Sequence, residues 1–115
     1  LGKESDTFDY FGALKKLQNL GPKEVIITLG ADGYMGICRD GEIFSKPGIK
    51  VDVLSTHGAG DSFVGTLAAF ICKGEHISVA AQYAQASSAL HVKTPIDQRE
   101  KIKEVDIENM FLLNQ

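Results

Sequence analysis

The stretch Ser55-Thr56-His57-Gly58-Ala59-Gly60-Asp61-Ser62-Phe63 constrains the fold more than any other part of the chain. A β-rich run precedes it, and a long apolar run at helical spacing follows it. Small residues stand where the backbone must turn sharply, then an acid, then a helix. Glycines at 58 and 60 admit positive φ and close approach of the backbone to a ligand. Free N–H groups at a helix start, with the helix dipole behind them, favour an anion such as phosphate. A carboxylate beside that cradle would repel a phosphate unless it served the reaction as a general base. The combination points to phosphoryl transfer to a hydroxyl, with Asp61 as the base. The alternative is a plain glycine turn, with Asp61 an ordinary first-turn acid that suits the helix dipole. Spacing alone leaves both open.

Composition narrows the classes. The chain has 115 residues, with 43% hydrophobic and 23% charged, which suits one small globular unit with a real core. The formal net charge is −3, so no basic nucleic-acid footprint is present, and an anionic substrate must be met by local donors. Cys38 and Cys72 are far apart and give neither zinc spacing nor a disulfide framework. They read as reduced, buried thiols of a cytoplasmic protein. No metal-ligand set is assigned. No apolar run reaches membrane-span length and no signal peptide opens the chain, so neither nucleic acid nor membrane is expected as a partner.

In chain order, Asp6 to Asp9 offers capping chemistry for a helix over about residues 7–20, with Phe11, Leu14 and Leu17, joined by Phe8 and Leu20, as its apolar stripe. Val25–Leu29 is a β-branched run of the kind found in strands buried on both faces, as in parallel sheets. Gly30-Ala31-Asp32-Gly33 forces a tight turn. Strands are predicted over Tyr34–Cys38 and Glu42–Lys46, joined by a hairpin at Arg39-Asp40-Gly41. Ile49–Leu54 alternates and is expected to be a fourth strand. Helices are predicted from Asp61 to about Lys73 and from Ile77 to about Val92. Two short terminal helices are predicted over Gln98–Lys103 and Ile107–Leu113. One convincing central strand makes an incomplete sheet. With the polar, uncapped start at Leu1–Asp6, the expectation is a C-terminal part of a larger α/β protein.

The Gly58-Ala59-Gly60-Asp61 element followed by Phe63, the strand ending Thr28-Leu29-Gly30 with Gly33 beyond it, the hairpin and two alanine-rich helices occur together. In this combination the chain resembles the C-terminal part of the ribokinase-like carbohydrate kinases, the phosphofructokinase B family. The resemblance runs from the first helix to about His91. It implies a three-layer α/β/α sandwich, of which residues 1–115 are the nucleotide-binding C-terminal part and the N-terminal part is absent. It implies transfer of the γ-phosphate of ATP, with Mg2+, to a sugar or related hydroxyl. Asp61 would be the base, and the N–H groups of Gly58, Ala59 and Gly60 would stabilise the transferring group. Thr28, Gly30 and Gly33 would line the nucleotide, with Gln85 near the adenine. The partners implied are a small-molecule sugar and ATP, with a homodimer of the complete protein open. Residues 1–115 alone are expected to be inactive, because the family's sugar contacts lie upstream.

The chain also departs from that pattern. Ser55 stands where many relatives carry an aspartate that helps hold a potassium-like cation, which leaves monovalent-cation activation open. His57 stands at a position often threonine or aliphatic, and reads either as a phosphate neighbour or as part of the turn. His91-Val92-Lys93-Thr94-Pro95 replaces a glycine-containing loop. A non-catalytic nucleotide-binding regulatory module is therefore the second reading. A dinucleotide-binding oxidoreductase fits poorly, since the third glycine of its fingerprint is missing.

Overall fold

The computed structural model of the protein describes residues 9–115. The predicted helix start at Thr7 and Phe8, and the segment 1–6, lie outside the described residues. The chain divides into two compact units, Leu1–Gly48 and Ile49–Gln115.

The first unit is a helix on a three-stranded meander. Helix α1 spans Tyr10–Asn19, and Asp9 caps it by accepting from the Gly12 N–H at 2.9 Å. Gln18 anchors the turn that follows: its Nε2 donates to the carbonyls of Lys23 and Cys38 at 2.7 and 2.9 Å. Strands β1 (Val25–Thr28), β2 (Tyr34–Ile37) and β3 (Ile43–Lys46) pair in that order, antiparallel throughout. The β1 strand was expected to be buried on both faces in a parallel arrangement. Here Val25, Ile26 and Ile27 are only half-buried, and among the described residues β1 pairs with β2 alone. Helix α1 packs on β1 and β2, and the core consists of Leu14, Tyr34, Ile37 and Cys38. Burial pushes the Tyr34 phenol far above its ordinary range. Among the described residues of the predicted apolar stripe only Leu14 is buried, while Phe11 is 53% and Leu20 81% exposed. Phe44 lies across the bare backbone of Gly36, where even a methyl group would overlap its ring.

The second unit is helical. Helices α2 (Ala59–Cys72), α3 (Ile77–Lys93) and α4 (Glu104–Leu113) pack as α2 on α3 and α3 on α4, with a 3-10 turn at Ile96–Lys101 before α4. Alanines make the close α2–α3 approach possible: Ala80, Ala81, Ala84 and Ala86 are fully buried. Three rings tie the helices together. Tyr83 stacks on Phe70 at 4.1 Å and on Phe111 at 3.9 Å, both nearly parallel. Burial of Tyr83, followed by the carboxylates of Glu108, Glu75 and Glu104, pushes its phenol upward. His76 caps α3 by accepting from the Ser78 N–H at 3.2 Å. The Asp106 carboxylate closes the start of α4 on the Lys103 N–H at 2.8 Å.

Two further expectations are corrected. Ile49–Leu54 forms no strand. The N–H groups of Leu54 and Ser55 both reach the carbonyl of Val92, so this segment satisfies the C-terminal end of α3 instead of pairing edgewise. The cysteines are not both buried, because Cys38 is buried and Cys72 is exposed. Among the described residues no helix is long and apolar enough to cross a membrane.

Candidate active site

Two glycine turns carry the residues singled out from the sequence, one in each unit. In the first unit Thr28, exposed, ends β1 opposite Tyr34. The chain then enters a single 3-10 turn, Gly30–Asp32. Backbone bonds close it tightly: Leu29 N–H to Gly33 O at 2.8 Å, Asp32 N–H to Leu29 O at 3.1 Å and Gly33 N–H to Gly30 O at 3.2 Å. Thr28, Gly30 and Gly33 are thus brought together. Their surroundings differ. Gly30 faces open space, whereas a Cβ on Gly33 would lie 2.0 Å from the carbonyl oxygen of Lys46 and 2.7 Å from Pro47 C. With φ at +100°, Gly33 is required by the chain's own packing as well as by its backbone conformation.

In the second unit the turn leads into α2. Gly58 is its N-cap in the left-handed region, at φ 78°, which explains why glycine stands there. Ala59, Gly60 and Asp61 are the first three helical residues. Gly60 has ordinary helical backbone, and a Cβ on it would meet nothing within 4 Å. Its lack of a side chain therefore leaves space above the helix end and is not needed for the turn. The Ala59 N–H donates to Thr56 O at 3.1 Å. Among the described residues no intrachain backbone bond takes the N–H of Gly58, Gly60 or Asp61. Those donors stand at the positive end of a 14-residue helix. The Asp61 carboxylate is exposed in the same first turn.

Two hydroxyls lock α2 onto α3 here. Ser62 Oγ lies 2.9 Å from Ser87 Oγ, and Ser88 Oγ donates to Ala59 O at 3.3 Å. Gln85 is half-buried on α3, two residues before Ser87. Beneath the turn, the His57 N–H donates to Ser55 Oγ at 3.2 Å. The carbonyls of Ser55 and His57 both accept from Arg99, whose side chain the sequence reading did not single out. No local signal marks Arg99 for this turn: the two turn carbonyls it holds lie 42 and 44 positions away. A cavity of about 390 Å3 between α3, the 3-10 turn and α4 is lined by Leu90, Thr94, Gln98, Ile102 and Met110 among others, and includes none of the predicted site residues.

An anion fits the α2 turn. It offers unpaired N–H groups, a helix dipole and open space over Gly60. Among the described residues no group of three His, Cys, Asp or Glu side chains could hold a metal ion.

Comparison with known proteins bears on the family and the fold. The family described as pfkB family carbohydrate kinase matches residues 2–102. The chain is 30% identical over 92 residues to deoxyribokinase of Salmonella typhi, covering 79% of this chain and 30% of that protein. It is 39% identical over 84 residues to 1-phosphofructokinase of Escherichia coli, covering 73% of this chain and 27% of that protein. Among solved structures, an E. coli protein assigned as Ribokinase II, determined with ATP and Mg2+, superposes with a TM-score of 0.81 at 27% identity, over 92% of this chain and 34% of that one. The chain thus spans about a third or less of the length of these proteins, and its α/β fold is ribokinase-like. On the match over residues 2–102, the chain belongs to the pfkB family of carbohydrate kinases.

Proposed function

We propose that this chain is the nucleotide-handling, C-terminal part of an ATP-dependent sugar kinase, with Asp61 as general base. One observation carries the reading. An exposed carboxylate stands in the first turn of α2 beside unpaired N–H groups, and the space over Gly60 is open. ATP supplies the phosphoryl group when bound. The N–H groups of Gly58 and Gly60 would hold the charge that builds on that group, and Asp61 would take the proton of the acceptor hydroxyl as its oxygen bonds to phosphorus and the bond from phosphorus to the leaving ADP breaks. The Ala59 N–H contributes less, because it is already bonded to Thr56 O.

Thr28 and Gly30 remain assigned to the nucleotide, and Gln85 to the adenine end. Gly33 supports the same turn from beneath. Mg2+ would be held chiefly by the phosphates and water. The acceptor is a sugar or sugar-like alcohol, in keeping with the family, and the reading includes a cytoplasmic enzyme and leaves a homodimer of the full-length protein open.

The decisive variant is Asp61→Asn in the full-length protein. It keeps size and hydrogen bonding and removes basicity. Sugar-dependent ADP release is expected to fall in kcat by about 10²-fold or more. ATP affinity is retained, since one negative charge near the phosphates is gone. A folded Asp61→Asn protein with wild-type turnover would exclude the base role. A wild-type protein that binds ATP–Mg2+ and turns over no sugar or alcohol would favour the regulatory module instead.

A further inference from the structure

Three backbone carbonyls converge on one guanidinium beneath the α2 turn. Arg99 Nη1 donates to His57 O at 2.9 Å, Nη2 to Ser55 O at 3.0 Å and Nε to Thr94 O at 3.1 Å. Each arm of the planar fork is used, so its geometry is fixed in a way a lysine could not reproduce. His91 borders the same place: its Nε2 is 3.0 Å from His57 O and 3.2 Å from Arg99 Nη1, and the tautomer decides which it serves. A Cβ on Gly58 would stand 3.0 Å from the same His91 nitrogen.

The carbonyl of His57 and the N–H of Gly58 belong to one peptide unit. That unit is planar and trans, so its C=O and N–H point in opposite directions. Pinning the His57 carbonyl onto Arg99 on one side therefore aims the Gly58 N–H to the other, where the anion is placed. The positive charge behind the peptide also polarises it and makes that N–H a stronger donor. Converging carbonyl oxygens are the means by which proteins hold a dehydrated monovalent cation. In this chain the carbonyls of Ser55, His57 and Thr94 are occupied by a cation already attached to the backbone.

We propose that Arg99 is a positioning residue that serves as a built-in cation under the glycine turn, fixing the His57–Gly58 peptide and making the site independent of added potassium. The proposal rests on the phosphoryl-transfer reading above for its catalytic consequence, but the carbonyl cage stands on its own geometry. It goes beyond the question of potassium left open by Ser55, since it names what takes the ion's place.

The test compares full-length wild type and Arg99→Ala in tetramethylammonium buffer and in potassium chloride of equal ionic strength. Two readouts are followed, sugar-dependent ADP release and amide hydrogen exchange over residues 54–62. Wild-type turnover is expected to differ by less than about twofold between the salts, because no carbonyl site is left to fill. Arg99→Ala is expected to lose about 10- to 100-fold in kcat in tetramethylammonium, with KM for ATP changing much less. Its 54–62 amides exchange faster, and potassium restores part of both. Strong potassium activation of the wild type would overturn the proposal, as would wild-type exchange and turnover in Arg99→Ala. If a wild type without kinase turnover showed the expected exchange pattern, the cage would be supported and the kinase reading lost. Should Arg99→Ala fail to fold, Arg99→Lys, which keeps charge but not the fork, takes its place. Faster exchange over 54–62 then supports the proposal, and unchanged exchange overturns it.

Discussion

The two glycine turns look alike in sequence and are used differently. Gly33 is pressed against the chain at Lys46 and Pro47, and Gly48 is pressed as closely against Ala31 in return. That turn is held shut by its own backbone. The turn at Gly58–Gly60 has one glycine that needs its left-handed backbone and one with empty space above it. A missing side chain can thus serve packing, conformation or the approach of a ligand. What surrounds the absent Cβ tells them apart, and the residue letter does not.

The comparison can be broken most directly at Gly33. Gly33→Ala forces a side chain into backbone atoms at an unfavourable φ, so it should cost about 3 kcal/mol or more of stability in urea unfolding of the full-length protein. Gly33→Ala with wild-type stability would remove the packing role. The next test sits at Gly60. Gly60→Val is expected to change stability by about 1 kcal/mol or less, because the site is helical and open. It should nevertheless abolish the rise in melting temperature that ATP–Mg2+ gives the wild type, since the branched side chain fills the space where phosphate would come. A retained ATP shift in Gly60→Val would sink the anion-site assignment.

The smallest effect concerns the cysteines, which report on the two units separately. Cys38 is buried in the first unit, and burial, then Asp40, Glu24 and Glu42, holds its thiol above the usual range. Cys72 is exposed at the end of α2. Mass-spectrometric alkylation of the folded protein should modify Cys72 first and Cys38 only once the protein unfolds. Equal labelling rates would show that the meander opens readily.

The sequence told most where chemistry is local. The start of α2, with glycine before an acid, was legible because caps and first turns are written in neighbouring residues. Helix α3 was legible in its alanine-rich run from Ile77, and the hairpin in Asp40-Gly41, where Asp40 accepts from the Glu42 N–H at 3.0 Å. Direction of pairing was not. A β-branched run signals burial but not its partner, so Val25–Thr28 was expected in a parallel arrangement and pairs antiparallel with Tyr34–Ile37. Alternation over Ile49–Leu54 suggested a strand, yet its last N–H groups are drawn to Val92. Arg99 was invisible because its role depends on carbonyls that only the folded chain brings near it. For the candidate site, the glycines and Asp61 were readable as special. Which glycine leaves room and which one closes the turn required coordinates.

The three stacked rings have a mechanical consequence for the far end of the same helix. Helix α2 is fastened near its C-terminus by Phe70 on Tyr83, which is itself backed by Phe111. At its N-terminus Ser62 and the Ala59 carbonyl are fastened to α3 by Ser87 and Ser88. A rod of 14 residues, about 21 Å long, is therefore clamped at both ends. Under the proposed kinase role, Asp61 would ride on it as a fixed post, and any travel that unites hydroxyl with carboxylate would fall to the incoming alcohol and whatever carries it.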